Sequence, residues 1–207
     1  MKTTILFLLF VILAGCSNDS DTEYFDKNVP YYKFTNSDSN YLIDSFNTIG
    51  EVISYKNQNN QILKFKVMSK KIERAEERTG SFSGGNLLNY YYDIQRTELL
   101  SVEYPYEHSI LRMDVKKNSS TVVIGGFNFH LWNGYENEVN FNLLSSPTTS
   151  LTINSIIYNK VIVVESKNNY AFPNDYYPKK VNKVFYDINK GIIGFDDLDN
   201  NQWRIQN

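Results

Sequence analysis

The stretch Leu111-Arg112-Met113-Asp114-Val115-Lys116 alternates apolar and charged side chains without a break. Such alternation places one set of side chains on one face of a β-strand, whereas a helix would scatter them around its circumference. Because one face is polar, the pattern predicts an antiparallel sheet with a solvated side. The same alternation recurs in four other runs, whose apolar positions are Leu63, Phe65 and Val67; Phe127, Phe129 and Leu131; Val139, Phe141 and Leu143; and Trp203 and Ile205.

Short polar segments between these runs predict the turns. Residues 117–120 should join two strands, and Asn133-Gly134 should end one. Residues 189–191 and 199–201 should close two hairpins near the C-terminus, because Asn, Asp and Gly tolerate positive φ angles. All five prolines lie outside the predicted strands, which suits a sheet because proline cannot donate to the hydrogen-bond ladder.

Two segments depart from simple alternation. Residues 161–164 are apolar at every position, which predicts a strand that is buried on both faces. Residues 68–79 fit either a short exposed helix or a long, twisted edge strand. The sequence as a whole predicts an all-β, mainly antiparallel fold: a curved sheet, half-barrel or sandwich of about ten strands with at most one short helix.

The N-terminal residues are typical of an exported protein. Lys2 precedes an uncharged apolar stretch, residues 5–13, and small residues then lead to Cys16. The stretch is shorter than the roughly 20 apolar residues of a spanning helix, so it predicts a cleaved signal peptide. Leu13-Ala14-Gly15-Cys16 resembles the lipobox of bacterial lipoproteins. The resemblance implies cleavage before Cys16 and acylation of that residue, which would anchor the protein in a lipid bilayer.

The chain should therefore have three parts. Residues 1–15 are expected to be the signal peptide, residues 16–28 the lipidated cysteine with an acidic tether, and residues 29–207 a single β-rich domain. By resemblance to Gram-negative sorting rules, Ser17 favours the outer membrane, on either its periplasmic or its cell-surface face. Residues 183–203 also resemble the ending of uncharacterised β-rich Bacteroidota lipoproteins, which implies fold and location but no activity.

Few residues suggest chemistry. Cys16 is the only cysteine, and His108 and His130 are the only histidines, so they cannot supply the four Cys or His ligands of a structural zinc site. His130 is expected on the solvated face of its strand. Residues 197–201 resemble the start of a calcium loop, but Gln202 stands where the loop needs glycine, so a hairpin turn is the preferred interpretation.

The sequence predicts no catalytic residue, no metal and no cofactor. It contains no nucleophile elbow and no phosphate-binding loop. The formal net charge is only -2, and no basic stripe occurs, so we expect no nucleic-acid partner.

The aromatic residues are the remaining candidates for a binding site. Tyrosines occur in adjacent pairs and triplets, and Trp132 falls on the polar face of its predicted strand. Exposed rings beside amides can stack on sugars or anchor a protein partner. Trp132, Tyr91 and Tyr177 are therefore candidate ligand-binding residues. The alternative is that tyrosine is simply a favoured residue of strands.

Three functions remain open on the sequence. The favoured hypothesis is a membrane-anchored, non-enzymatic lipoprotein that binds a glycan or a protein, or serves as a scaffold. A second is a half-barrel carrier of a lipid or another apolar ligand. A third is a glycan-active enzyme, with carboxylates drawn from Glu103, Glu107, Asp114 and Glu165.

Overall fold

A computed structural model describes residues 26–81, 85–103, 109–134, 138–168 and 179–206. Twelve strands form one sheet that curls into a half-barrel. This confirms the predicted all-β, mainly antiparallel class. The strands are β1 (Tyr31–Tyr32), β2 (Val52–Lys56), β3 (Ile62–Ser81), β4 (Gly85–Ser101), β5 (Ile110–Lys117), β6 (Val123–Phe129), β7 (Val139–Asn142), β8 (Thr149–Ile153), β9 (Ile156–Glu165), β10 (Val181–Asp187), β11 (Gly191–Asp197) and β12 (Gln202–Ile205).

The strand order is β7-β6-β5-β4-β3-β2-β12-β11-β10-β9-β8, and every neighbouring pair in it is antiparallel. Off this path, β1 pairs in parallel with β4, with Tyr31 opposite Tyr91. Residues 68–79 belong to β3, so the strand alternative is the right one. Within the described ranges, the only helix is a short 3-10 helix at Asn36–Tyr41.

The inside of the curl is filled with side chains. Leu111, Met113 and Val115 are fully buried there, as the alternation in β5 predicts. Aromatic rings from strands far apart in the order meet in the same space, and Phe129 lies 6.1 Å from Phe65 and 5.2 Å from Phe195 between ring centroids. Each such side chain contributes about 1.5–3 kcal/mol when fully buried. Packing inside the curl is therefore the main source of stability for the sheet.

A smaller apolar cluster lies against a different part of the sheet. Ile153, Tyr158 and Val161 of the β8–β9 hairpin pack with Ile193 of β11. As a result, residues 191–195 are all buried, including side chains on both faces of β11.

The prediction that residues 161–164 are buried on both faces is only partly right. Val161 and Ile162 are buried, but Val163 is 38% exposed. Ile162 belongs to the main core inside the curl, whereas Val161 packs with the β8–β9 hairpin. β8 pairs with β9 only as far as Val161, so the hairpin does not shield Val163.

Three of the four predicted turns are found. Residues 118–122 join β5 to β6, and the two C-terminal hairpins turn where Asn and Gly occur. Asn133-Gly134 was predicted to end a strand, but β6 ends earlier, at Phe129. Gly191 has a φ of 73° and Asn200 a φ of 62°, which is the left-handed region that these residues tolerate. Gly191 also has no room for a side chain, because a Cβ there would lie 2.7 Å from the Met113 sulfur.

Residues 33–47, here called the N-terminal strap, cross the end of the curl. Ile43 and Phe46 of the strap are buried in the core. The Gln95 side chain holds the strap with two hydrogen bonds to the backbone of Ile43. Its Oε1 accepts from Ile43 N at 2.7 Å, and its Nε2 donates to Ile43 O at 3.1 Å. The strap also reaches the β10–β11 turn, where Asp44 N donates to Asn189 O at 2.7 Å.

A buried ion pair attaches the strap to β5. Lys117 Nζ donates to Asp38 Oδ1 at 2.7 Å, and the two side chains are only 5% and 6% exposed. Burial by itself would raise the pKa of Asp38. Hydrogen bonds from Lys117 and Thr35, with the charge of Lys117, instead hold it below its ordinary value. Each charge is tolerated in this position only because the other is present.

Replacing one partner of this pair should destabilise the fold strongly. In Asp38→Asn the Lys117 ammonium stays buried without its counter-charge, so we expect a loss of about 3–5 kcal/mol in the free energy of unfolding. Urea denaturation of the variant and the parent protein measures it. Glu76→Gln, which breaks an exposed pair with Arg78, is the matched control and should change stability by less than about 1 kcal/mol. Equal effects of the two substitutions would contradict this account.

A candidate binding pocket at the seam of the sheet

A pocket of about 290 Å³ lies where the curled sheet fails to close. Its walls come from β7, from the end of β9 and the residues that follow it, and from the turn after β6. We call it the seam pocket. It is lined by Trp132, Gly134, Val139, Val164, Glu165, Ser166 and Lys167.

The pocket is bordered by two strands that each have an edge without a described partner. Among the residues that the structure describes, β7 pairs with β6 alone, and beyond Val161 the only strand that pairs with β9 is β10. Lys160 O accepts from Ile188 N, and Ser166 N donates to Asn182 O, so even-numbered residues of this strand direct their backbone groups towards β10. Backbone groups alternate in direction along a strand. The N–H and C=O groups of Val163 and Glu165 therefore point to the side without a strand partner.

The turn after β6 carries Trp132 across to β10. Leu131 O accepts from Val181 N, and Asn133 N donates to Val181 O, both at 2.8 Å. These bonds hold the indole of Trp132 in place, and its ring meets that of Phe127 edge to face at 5.4 Å. Gly134 allows this arrangement, because a Cβ at that position would lie 2.1 Å from Trp132 Nε1.

A buried polar network fixes the wall beside the indole. Ser166 Oγ donates to Asn133 O at 2.7 Å and accepts from Asn168 N at 3.1 Å. Asn133 Nδ2 donates to Asn168 O at 3.2 Å. The hydroxyl of Ser166 is thus committed to structural hydrogen bonds, so the network supports the shape of the pocket.

The rim of the pocket carries both signs of charge. Glu165 forms an ion pair with Lys183 of β10 at 2.7 Å, and its side chain is 61% exposed. Lys167 lies on the same rim. Val139, Val164 and Trp132 give the interior its apolar character, so the arrangement suits an apolar group held between charged and polar neighbours.

Trp132 lines the pocket, but the reason for choosing it from the sequence was wrong. Trp132 and His130 were expected on a solvated face, whereas they are 4% and 7% exposed. β6 ends at Phe129 and a turn follows. The prediction continued the period-two alternation to Trp132, beyond the end of the strand. Outside a strand, alternation no longer determines which way a side chain points.

Tyr91 is not an exposed binding residue either. It is fully buried, its ring lies under the Arg74 guanidinium at 5.2 Å, and its hydroxyl accepts from Asp26 N at 3.2 Å. Tyr91 therefore holds the N-terminal residues against β4. Tyr177, Cys16 and His108 lie outside the described residues.

Most of the pocket could not be predicted from the sequence. Val139 and Val164 were recognised as strand residues, but nothing in their pattern shows that they face each other across a gap. Asn133-Gly134 was predicted to end a strand, which was the one available signal. Of the proposed carboxylates, Glu165 lies on the rim, whereas Asp114 forms ion pairs with Arg96 and Arg112 on β4 and β5.

Residues 197–201, which resemble the start of a calcium loop, form a hairpin turn between β11 and β12, as predicted. Asp197 Oδ1 accepts from Asp199 N at 2.9 Å and Asn201 N at 3.0 Å, and its Oδ2 accepts from Trp203 Nε1 at 3.1 Å. Across the residues whose positions are described, no group of three or more His, Cys, Asp or Glu side chains is placed to hold a metal ion.

Comparisons with protein-family models, with curated proteins and with solved structures gave no significant match.

The buried histidine should make stability depend on pH. Burial lowers the pKa of His130 to about 4, whereas the unfolded chain titrates near 6.5. The folded state therefore binds fewer protons between these values. The contribution of His130, up to about 3 kcal/mol, is present above pH 6.5 and is lost as the pH falls towards 4.

Urea denaturation at pH 7, 5.5 and 4.5 tests this expectation. His130→Gln should reduce the fall in unfolding free energy over that range, while His108→Gln, which removes the only other histidine, serves as the control. An unchanged slope in His130→Gln would show that other groups cause the acid sensitivity.

Proposed function

We propose that this protein is a lipid-anchored lipoprotein of the bacterial outer membrane whose β-domain is a non-enzymatic binding module, with the seam pocket as its binding site. The pocket is the observation that carries the binding role. It joins an apolar interior to backbone groups that have no partner strand among the described residues, and such a combination recognises ligands through both shape and hydrogen bonds. The lipobox resemblance at Cys16 supports the anchor.

The lining of the pocket favours binding over catalysis. Glycoside hydrolysis usually needs two carboxylates, and Glu165 is the one carboxylate among the described residues of the lining. A serine nucleophile needs an adjacent base, but the Ser166 hydroxyl donates to a backbone carbonyl. A glycan-active enzyme therefore draws no support from this site.

The carrier alternative would need space inside the curl. There, Phe65, Phe129 and Phe195 pack against each other among fully buried aliphatic residues. The seam pocket itself lies at the lower end of the usual size range of ligand pockets, about 300–1,000 Å³. It suits a group as large as one side chain or one sugar ring.

Among the described residues, no helix is long and apolar enough to span a bilayer.

Lipidation can be tested directly. Cells that express the chain and are fed radiolabelled palmitate should yield a labelled protein in the outer-membrane fraction, because acyl chains on Cys16 give stable anchoring. Cys16→Ser should remove the label, and Ser17→Ala should retain it. Label that persists in Cys16→Ser would refute the proposed anchor.

The binding role predicts that filling the pocket blocks ligands. Val164→Phe places a ring in the pocket, so a ligand found on glycan or peptide arrays should bind about tenfold more weakly or worse. Ile157→Phe lies on the exposed, paired end of the same strand and is the control. Trp132→Ala is a poorer test, because removing a buried tryptophan costs about 3–5 kcal/mol of stability. Ligands unaffected by Val164→Phe would place the binding site elsewhere.

A further inference from the structure

We propose that the occupant of the seam pocket is an extended peptide segment of a partner protein, which adds as an antiparallel strand to the free edge of β9 and inserts one apolar side chain into the pocket. The inference rests on the proposed binding function and specifies its ligand. Strand addition of this kind draws affinity from main-chain hydrogen bonds and specificity from pockets for alternate side chains.

The edge of β9 has the geometry that strand addition requires. The backbone groups of Val163 and Glu165 point away from β10, towards the side where β9 has no described partner strand. Both residues are accessible, with Val163 38% exposed and the Glu165 side chain 61% exposed.

Two of the features that usually protect a free edge are missing here. Proteins protect such edges with lysine, proline, a β-bulge or a very short edge strand. Residues 162–165 contain no lysine or proline, and their register with β10 shows no irregularity. The edge is short, so a peptide would gain main-chain hydrogen bonds from Val163 and Glu165 alone, and the side chain in the pocket must supply the rest of its affinity.

The pocket then selects one side chain of the peptide. Val164 lines the pocket and packs against the core. A peptide residue directly opposite Val164 lies on the same face of the sheet and so enters the pocket. The volume of about 290 Å³ accommodates an apolar side chain such as leucine. A sugar is less well suited, because Trp132 is 4% exposed and offers no open ring face for stacking.

The charge at the end of β9 specifies the neighbouring peptide residue. Glu165 is the last residue of β9, and its side chain lines the rim of the pocket. In an antiparallel pairing, the residue before the apolar one lies opposite Glu165. Cross-strand pairs favour opposite charges. The preferred sequence is therefore a basic residue followed by an apolar one.

Blocked, fluorescently labelled peptides test this preference on the full-length chain purified in detergent. The probe Thr-Thr-Thr-Lys-Leu-Thr-Thr should bind about tenfold more tightly than the same peptide with glycine in place of leucine, because the leucine side chain becomes buried. It should also bind several-fold more tightly than the glutamate peptide Thr-Thr-Thr-Glu-Leu-Thr-Thr. Equal binding of all three peptides would overturn the inference.

Reversing the charge of Glu165 provides a matched control. The variant Glu165→Lys should prefer the glutamate peptide, so the order of the two affinities reverses. A change in folding alone would weaken both peptides without reversing the order. Retention of the original order would show that this side chain does not face the peptide.

Amide hydrogen exchange reports the backbone contacts directly. Peptide binding should slow exchange at Val163 and Glu165, whose N–H groups point to the free edge. Exchange at Ile162 and Val164 should change little, since those N–H groups already face β10. Peptide binding without protection at Val163 and Glu165 would contradict strand addition.

Two outcomes separate the binding function of the seam pocket from strand addition by a peptide. If a glycan or another small ligand binds and Val164→Phe blocks it, while no peptide binds, the pocket keeps its binding function and the strand inference is wrong. If no ligand of any kind is sensitive to Val164→Phe, both are wrong.

Discussion

The structure depends on filling the inside of one curled sheet. A strongly curled sheet has no second layer facing its concave side, so the side chains of its own strands must occupy that space. Here β5 and β11 meet across the interior, where Ile192 N lies 3.3 Å from the Met113 sulfur. The contact needs Gly191 beside it, because any side chain there would collide with Met113. Large aromatic rings from β3, β6 and β11 then fill the remaining volume.

The filled interior leaves the ends of the sheet to be covered separately. The N-terminal strap covers one end, and it is fixed by the Gln95 hydrogen bonds and by the buried pair of Asp38 and Lys117. The turn after β6 crosses to β10 and holds Trp132 at the seam. The buried polar groups that attach these two segments form hydrogen bonds or an ion pair. Polar groups are tolerated inside a protein under this condition.

The seam exists because of the path of the chain after β7. β8 follows β7 in sequence and would be the natural strand to close the barrel. It pairs instead with the first part of β9, and the β8–β9 hairpin packs on Ile193. The later part of β9 and the edge of β7 therefore keep one side without a described strand partner. The pocket and the free edge are two consequences of this single feature, and binding at one would also involve the other.

The sequence by itself determined the class of fold and the positions of three turns, between β5 and β6, β10 and β11, and β11 and β12. Alternation in residues 111–116 placed Leu111, Met113 and Val115 in the core, and the Asn and Gly turns closed the hairpins as predicted, because these are local properties of the backbone. Only the tertiary structure decided that His130 and Trp132 are buried, since their strand ends at Phe129, and that Tyr91 packs under the N-terminal residues. It also decided that Val139 and Val164 share a pocket. The physical reason is that strand order and curl depend on packing between distant residues, which no local pattern records.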